Sequence, residues 1–344
     1  MTQPHSFASD NYSGAHPSVM TAVNEANSGH QPSYGADDST THLREIIRRE
    51  FGDTVQVFPM LTGTGANVVA LQAMARPWEA VVCTDTAHIH LDEGGAPEKV
   101  AGLKLWQVPA PAGKLTPELV DQQAWGFGDV HRAQPAVLTI TQSTEQGTVY
   151  SPAELVQLVD HAHDLGMRVH LDGARLANAA AHLNVPLRAI TTDVGIDALS
   201  LGGTKNGAMS AEAIVVLNEA AVPGVDFLRK TAMQLTSKMR YTSAQLAALL
   251  TDELWLANAR TSNAMAQRLY EGVKDLPDIT ISRQPQVNSV FATLPLAVRD
   301  RLREKYSFYI WDNATGEVRW MCSWDTTEAD IDDFVAAIKA ELTR

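Results

Sequence analysis

The fold of this 344-residue chain is decided by two short stretches, HLDGAR at residues 170–175 and TKNG at residues 204–207. Each stretch follows an apolar run that predicts a buried strand, over 168–171 for the first and 198–201 for the second. Asp172 and Lys205 therefore stand where strands end. Since ligands of open α/β sheets bind beside the carboxyl ends of the strands, both side chains are predicted at a binding edge.

An acid and a lysine in these places suit pyridoxal phosphate chemistry. A desolvated lysine is a nucleophile for an aldehyde cofactor, because burial lowers its pKa. An acid beside the pyridine nitrogen keeps that nitrogen protonated, so the ring can accept electrons. Each residue also has a plainer interpretation, Lys205 as an exposed loop lysine and Asp172 as a helix N-cap. Only the combination favours the cofactor.

A glycine-rich turn, TGTGAN at residues 62–67, lies between a predicted strand and a predicted helix. Backbone N–H groups and the helix dipole make such a turn a candidate phosphate site. The turn lacks the lysine of nucleotide-binding loops and does not follow their glycine spacing. It indicates a phosphate but not a nucleotide, and similar turns are common.

Three further side chains are candidates for chemistry. His88 can stack on a pyridine ring or move a proton, although a structural histidine is the alternative. Arg175 and Arg319 can each bind a substrate carboxylate in bidentate fashion. Arg319 lies in a strand-like run over 317–322, where an edge position that faces water is the competing interpretation.

The composition limits the classes of function. Lys and Arg number 27 against 40 Asp and Glu, a net charge of −13, which argues against nucleic acid or an anionic membrane as partner. The polar residues 1–9 do not resemble a secretory signal, and no window holds 18 apolar residues, so we expect a cytoplasmic protein. Cys83 and Cys322 are predicted as buried thiols, and no metal-ligand spacing occurs.

Strand-like and helix-like segments alternate up to about residue 250, which predicts an α/β fold with a mainly parallel sheet covered on both faces. We expect an N-terminal arm over 1–15, a large domain over 16–250 and a small α+β domain over 251–344 with mostly antiparallel strands. A long helix is predicted over 243–273. The last helix is predicted over 325–342, capped by Asp325 and Glu328.

Phosphate turn, histidine, aspartate, lysine and C-terminal arginine follow one another in the order typical of aspartate-aminotransferase-like (fold type I) pyridoxal phosphate enzymes. The chain resembles the L-threonine aldolases of the β-eliminating lyase group, in particular the low-specificity and phenylserine aldolase branch. The resemblance runs from residue 6 to about 342. Its motifs are FASDN at 7–11, YGADD at 34–38, TGTGAN at 62–67, His88 with EGGAP at 93–97, HLDGAR at 170–175, TKNG at 204–207 and RWMCSW at 319–324.

The resemblance implies a large domain built on a seven-stranded sheet and a homo-oligomer, dimer or tetramer, with shared active sites. It also implies a role for each motif residue. Lys205 would hold the aldehyde as a Schiff base, Asp172 would bind the pyridine nitrogen, and His88 would stack on the ring. The phosphate would be bound by Gly63, Thr64 and Gly65, and the substrate carboxylate would be held by Ser9, Arg175 and Arg319. Arg175 would also approach the 3-oxygen of the cofactor, Arg240 would lie near the cofactor, and Tyr34 would come from a neighbouring subunit.

One position departs from the family. Many threonine aldolases carry a histidine in the loop after the central strand, and here QSTEQG at residues 142–147 places Glu145 there. Glu145 could act as a base through a water, shape the pocket or face solvent. The departure argues against a mechanism that needs two histidines.

The implied reaction is cleavage of 3-hydroxy-L-amino acids, such as L-threonine, L-allo-threonine and L-phenylserine, to glycine and an aldehyde. The partners would then be small molecules only. Two alternatives stay open. The same fold supports β-elimination, transamination and racemisation, which differ in the Cα bond that lies perpendicular to the ring. A catalytically silent protein of this fold is the other, and retention of Lys205 and Asp172 argues against it.

Overall fold

A seven-stranded sheet forms the centre of the large part of the molecule in the computed structural model, which describes residues 5–344. The first four residues of the predicted arm lie outside the described residues. The strand order is β1-β7-β6-β5-β4-β2-β3. In chain order the strands are β1 Gln56–Met60, β2 Glu79–Thr84, β3 Lys104–Val108, β4 Gln134–Thr141, β5 Arg168–Gly173, β6 Ala198–Gly202 and β7 Glu212–Val216.

The sheet is mainly parallel, as predicted. Strands β3, β2, β4, β5 and β6 run parallel, whereas β7 is antiparallel to both β6 and β1. The reversal matters for the site, because Glu212, the first residue of β7, pairs with Gly202 at the end of β6. The start of β7 therefore lies at the same edge of the sheet as the ends of β4, β5 and β6.

Helices pack on both faces of this sheet, because successive side chains of each strand point to opposite faces. On β7, Ala213 and Val215 belong to one buried core, and Ile214 and Val216 to the other, which also holds Cys83. The helices are α1 Pro17–Ala26, α2 Asp38–Phe51, α3 Gly63–Met74, α4 His88–Leu91, α5 Ala96–Lys99, α6 Pro117–Asp121, α7 Pro152–Asp164, α8 Leu176–Leu183, α9 Val225–Thr231 and α10 Arg240–Leu250.

A separate antiparallel sheet of order β10-β11-β9-β8 follows near the C-terminus. The N-terminal arm joins it, since Phe7 bonds through its backbone to Ser307 and Met321 and stacks on Phe334. No helix of the described residues is long and apolar enough to cross a membrane. The elements are α11 Leu254–Val273, β8 Thr280–Ile281, β9 Ser289–Thr293, α12 Leu296–Arg303, β10 Tyr309–Ile310, β11 Val318–Met321 and α13 Glu328–Leu342.

Two predictions about the helices are wrong. The helix predicted over 243–273 is two helices, because Asp252 and Glu253 between α10 and α11 take left-handed φ angles of 51° and 54°. The last helix begins at Glu328, and its capping box is formed by Thr327 and Asp330 rather than by Asp325 and Glu328. The division into domains at residue 250 stays a prediction.

Candidate active site

A cavity opens at the edge of the large sheet where β4, β5 and β6 end. Its volume is about 520 Å³ with its mouth included. The structure brings most of the predicted cofactor residues together here. Those that line the cavity are Gly63, Thr64, His88, Asp172, Arg175 and Lys205, and they are joined by Asn67, Glu93, Thr141, Ser143, Glu145, Ser200 and Glu212.

Lys205 follows β6 in a short turn over 204–206, and the two glycines before it allow that turn to close. A Cβ atom on Gly202 would lie 2.8 Å from the backbone of Ala174, and one on Gly203 would lie 2.5 Å from the carbonyl oxygen of Ala211. The turn of Lys205 is thus packed against the turn that follows Asp172. Burial, and then the charge of Arg175, lower the pKa of Lys205, so the exposed-loop interpretation does not hold.

Asp172 at the end of β5 is buried and held by two donors. Its Oδ1 accepts the N–H of Ala174 at 3.0 Å, and its Oδ2 accepts the side-chain amide of Asn67 at 3.0 Å. Because α8 begins only after Arg175, Asp172 is not the N-cap of that helix. Beneath it burial lowers the pKa of His170 to about 4, so this imidazole is neutral and adds no charge to the site.

His88 belongs to a network that reaches Asp172. Its Nδ1 lies 2.9 Å from Oε1 of the buried Glu93, and the side-chain amide of Asn67 donates to the same oxygen at 2.8 Å. The bond to Glu93 is the largest cause that raises the pKa of His88. Glu93 and Asn67 appeared in the sequence only as motif letters. An acid five residues after a histidine, at the end of a short helical turn, is the signal that could have found the pair.

The phosphate candidates sit at the start of α3. Thr62 caps the helix by accepting the N–H of Gly65 at 3.0 Å, whereas the first N–H groups of a helix have no partner within it. Gly63 and Thr64 line the cavity. Gly65 does not line it, and a Cβ atom there would lie 2.4 Å from the side-chain amide of Gln234, so this position is closely packed.

The two predicted arginines differ in their partners. Arg175 gives its Nε and Nη2 to the carboxylate of Asp10, at 2.7 and 2.9 Å. Asp10 is buried, and although burial alone would raise its pKa, the guanidinium of Arg175 holds it below the ordinary value. The neighbouring Ser9 uses its hydroxyl to accept the N–H of Asn11. Asp10 was not among the predicted site residues.

Arg319 lies on β11, between β9 and β10, and so is not an edge-strand residue. Its guanidinium lies 4.7 Å from the ring centre of Trp311, and its Nη2 is 3.5 Å from the carbonyl oxygen of Ala8. Its Nε is buried without a hydrogen-bond partner among the described residues. Burial, and then the charge of Arg175, lower the pKa of Arg319 to about 10. Arg319 therefore has room for an anionic ligand.

Tyr34 and Arg240 are not brought to the cavity by a single chain. The side chain of Tyr34 is 52% exposed, with the ammonium group of Lys230 4.7 Å from its ring centre. Arg240 points to the carbonyl oxygens of Ser28 and Gly29.

Two acids that the sequence did not assign complete the cavity wall. Glu145 accepts the N–H of His88 and the hydroxyl of Thr141 through Oε1, so it does not face solvent. Glu212 at the start of β7 accepts the N–H of Gly203 at 3.3 Å, and burial raises its pKa to about 7. An acid that opens an otherwise apolar strand is the pattern that could have pointed to Glu212.

Comparison with known proteins shows which family this chain belongs to. A family model of beta-eliminating lyases matches residues 6–296. The chain belongs to the beta-eliminating lyase family. A low specificity L-threonine aldolase from a Pseudomonas species is 40% identical over 343 residues, 99% of both chains. A second one, from Pseudomonas aeruginosa, is 40% identical over 322 residues, 93% of each chain.

The fold of this beta-eliminating lyase has a close match among solved structures. The threonine aldolase of Leishmania major superposes with a TM-score of 0.92 at 29% identity, over 98% of this chain and 99% of that one. These findings confirm the predicted family, the fold type I architecture, the class of lyase and pyridoxal phosphate as the cofactor.

The residues present fit that cofactor. Gly63 and Thr64 at the start of α3 offer a phosphate cradle, Asp172 an acceptor for a pyridinium N–H, and Lys205 an amine for the aldehyde. Four buried polar atoms of the wall have no hydrogen-bond partner among the described residues: Asn67 Oδ1, Glu93 Oε2, Ser143 Oγ and Glu145 Oε2. Such orphans at one cavity are expected where a polar ligand binds.

Proposed function

We propose that this beta-eliminating lyase cleaves 3-hydroxy-L-amino acids of the L-threonine, L-allo-threonine and L-phenylserine type to glycine and an aldehyde. The observation that carries the proposal is the 40% identity to a low specificity L-threonine aldolase over 99% of both chains. The cavity supports it, because it holds a lysine, an acid beside it and a helix N-terminus within reach of one small ligand.

Bound pyridoxal phosphate supplies an aldehyde for the substrate amine and a pyridinium ring that accepts an electron pair. Lys205 would hold that aldehyde between turnovers, and its lowered pKa favours the neutral amine that this task requires. Asp172 would accept the pyridinium N–H. Its two existing donors fix the orientation of the carboxylate, so it does not have to reorganise when the ligand arrives.

Arg319 would hold the substrate carboxylate, assisted by Ser9 and Arg175. Of the two arginines, Arg319 is the stronger candidate, because the fork of Arg175 is occupied by Asp10. The remaining N–H groups of Arg175 suit the 3-oxygen of the cofactor as well as a carboxylate. Fixing the carboxylate turns the Cα–Cβ bond perpendicular to the ring, which selects that bond for cleavage.

His88 would lie against the ring and bind the substrate hydroxyl or a water beside it. Because Glu93 fixes Nδ1, the other nitrogen, Nε2, is the atom that is left for ligands. The raised pKa of His88 favours the imidazolium form, which donates a hydrogen bond through Nε2.

We further propose a cytoplasmic homo-oligomer, dimer or tetramer, in which Tyr34 and Arg240 of one subunit approach the cavity of another. The exposure of Tyr34 on a single chain supports this arrangement. Light scattering after gel filtration tests it, and a monomer that is fully active would contradict it.

The assay that tests the reaction supplies L-threonine and L-phenylserine and measures glycine and aldehyde in equal amounts. L-serine and L-alanine serve as the comparison substrates. Pyruvate and ammonia from L-serine would indicate β-elimination, and D-alanine or pyruvate from L-alanine would indicate racemisation or transamination. A purified protein that stays colourless with added pyridoxal phosphate would overturn the proposal altogether.

A further inference from the structure

One carboxylate oxygen of Glu145 has no hydrogen-bond partner among the residues that the structure describes. Its Oε1 accepts the backbone N–H of His88 at 3.0 Å and the hydroxyl of Thr141 at 2.9 Å. Its Oε2 is buried and has no hydrogen-bond partner among residues 5–344. Since Glu145 also lines the cavity beside Lys205, the unused oxygen belongs to the same enclosed space as the ligand.

Burial of a carboxylate oxygen that has no hydrogen-bond partner is energetically unfavourable. A buried polar group without its hydrogen bond destabilises a fold, and it does so more strongly when the group is charged. Desolvation is accordingly the largest cause that raises the pKa of Glu145. A carboxylate with a raised pKa is a stronger base than an exposed glutamate, and it returns a proton less readily to water.

The charged groups around Glu145 do not neutralise it. The negative charge of Asp172 raises the pKa of Glu145 further. The charge of Glu145 in turn raises the pKa of two buried groups, Cys83 and Tyr150. The positive charge of Arg175 is already matched by Asp10 at 2.7 Å. Among these neighbours no cation pairs with Oε2, and the cavity is the space from which a partner can reach this oxygen.

We propose that Glu145 is a catalytic residue whose Oε2 takes the proton of the substrate hydroxyl when the Cα–Cβ bond breaks. The O–H electron pair becomes the second bond of the aldehyde carbonyl, the electron pair of the Cα–Cβ bond stays on the Cα side, and the proton ends on Glu145. A separate proton delivered to Cα completes glycine, and Glu145 returns its proton to water when the aldehyde leaves. This inference rests on the proposed function.

His88 is less suited to this task. Its Nδ1 is bound to Glu93, so only Nε2 is left for the ligand, and the raised pKa of His88 favours the form that donates from this atom. The two residues therefore act on different atoms of the hydroxyl group. His88 donates to the hydroxyl oxygen through Nε2 and stabilises the charge that develops there, while Glu145 removes the hydrogen. The backbone bond from His88 to Glu145 fixes the distance between the two.

The decisive experiment compares two reactions of Glu145→Gln in the enzyme loaded with pyridoxal phosphate. A glutamine keeps the oxygen that accepts from His88 and Thr141 but cannot act as a base. Cleavage of L-threonine should fall about 10²- to 10⁴-fold. Exchange of the α-hydrogen of glycine with D₂O uses the same cavity without any hydroxyl group, and it should change less than about threefold. Glu118→Gln, the same change at an exposed position on α6, should alter neither rate.

The dependence on pH gives a second readout. In the wild type, cleavage should fall as the pH drops through the raised pKa of Glu145, because only the carboxylate accepts a proton. This limb should be absent in Glu145→Gln. A third readout is independent of the cofactor: the apoprotein of the variant should unfold at a temperature no lower than the wild type, since an uncharged amide replaces a buried carboxylate.

Each outcome decides the inference. Unchanged cleavage by the variant would overturn it, and so would an equal loss of cleavage and of glycine exchange, which would indicate a role in shaping the cavity. Should the variant not fold, Glu145→Asp retains a base and has to keep a measurable acidic limb for the inference to stand. Failure of the proposed function is distinguishable, because wild-type enzyme would then release no aldehyde from L-threonine.

Discussion

Two regions of the site, the large-sheet wall of the cavity and the surroundings of Arg319 at the small sheet, are built on different principles. On the large-sheet side, Asp172 and His88 are held by donors and acceptors of the protein itself before any ligand arrives. On the side of the small sheet, Arg319 lies against the ring of Trp311, and its Nε has no hydrogen-bond partner among the described residues. The first wall is preorganised for the cofactor, which is the same in every turnover. The second region has a buried guanidinium N–H without a partner among the described residues, which suits the proposed binding of a substrate that is exchanged.

The two arginines show the same difference at close range. Arg175 has a buried carboxylate partner, Asp10, which the N-terminal arm brings to it. Arg319 lies near enough for the positive charge of Arg175 to lower its pKa, yet its Nε has no hydrogen-bond partner among the described residues. A substrate carboxylate at Arg319 would relieve that repulsion. We therefore expect mutations on the large-sheet wall to abolish turnover, and mutations at Arg319 to weaken substrate binding first.

The largest effect is expected for Lys205→Ala. Without the amine that receives the cofactor aldehyde, turnover of L-threonine should fall by on the order of 10⁴-fold or more, and the visible absorbance of the bound cofactor should shift. Spectra and aldehyde release measure both. Lys104→Ala, at an exposed position on β3, is the matched control and should behave as wild type. Normal turnover in Lys205→Ala would remove this residue from the mechanism.

An effect of intermediate size is expected for Arg319→Ala. Loss of a charge-assisted pair with the substrate carboxylate should raise KM for L-threonine by roughly 30- to 1000-fold, equivalent to about 2–4 kcal/mol, with a smaller change in kcat. The visible spectrum without substrate should stay that of the wild type. Arg303→Ala, on the exposed end of α12, controls for loss of a positive charge. A large fall in kcat at unchanged KM would contradict the division between the two walls.

The wall that carries the cofactor was the more predictable from sequence. Lys205, Asp172 and the turn at Gly63 each follow a buried strand, and the register of a parallel sheet brings strand ends together whatever the rest of the chain does. The partners of these residues were less predictable. Asn67 lies inside a helix and Glu93 after one, and a contact between side chains so far from Asp172 in the chain leaves no periodic pattern.

The other wall depends on contacts between distant segments. Asp10 reaches Arg175 only because Phe7 anchors the arm to the small sheet, and nothing in residues 7–11 states that pairing. The helix predicted over 243–273 failed for a related reason. The helical pattern resumes after the polar residues 251–253, whereas the left-handed backbone of Asp252 and Glu253 ends one helix and starts another.

The smallest effect concerns stability, and it tests whether a buried acid of the large-sheet wall destabilises the folded state. Burial raises the pKa of Glu212 from 4.5 to about 7, so the folded state holds this proton more tightly than the unfolded chain does. Stability from this group is fully present below pH 4.5 and is lost as the pH rises through 7. Glu212→Gln removes the group that titrates. At pH 8 the free energy of unfolding of the variant should exceed that of the wild type by at most about 3 kcal/mol, and at pH 5 the two values should be close. Urea unfolding at both pH values, with the exposed Glu219→Gln as control, measures the difference. Equal stability at pH 8 would mean that the positive charge of Lys205 already offsets the burial of Glu212. The large-sheet wall would then be no less stable than the region that holds Arg319.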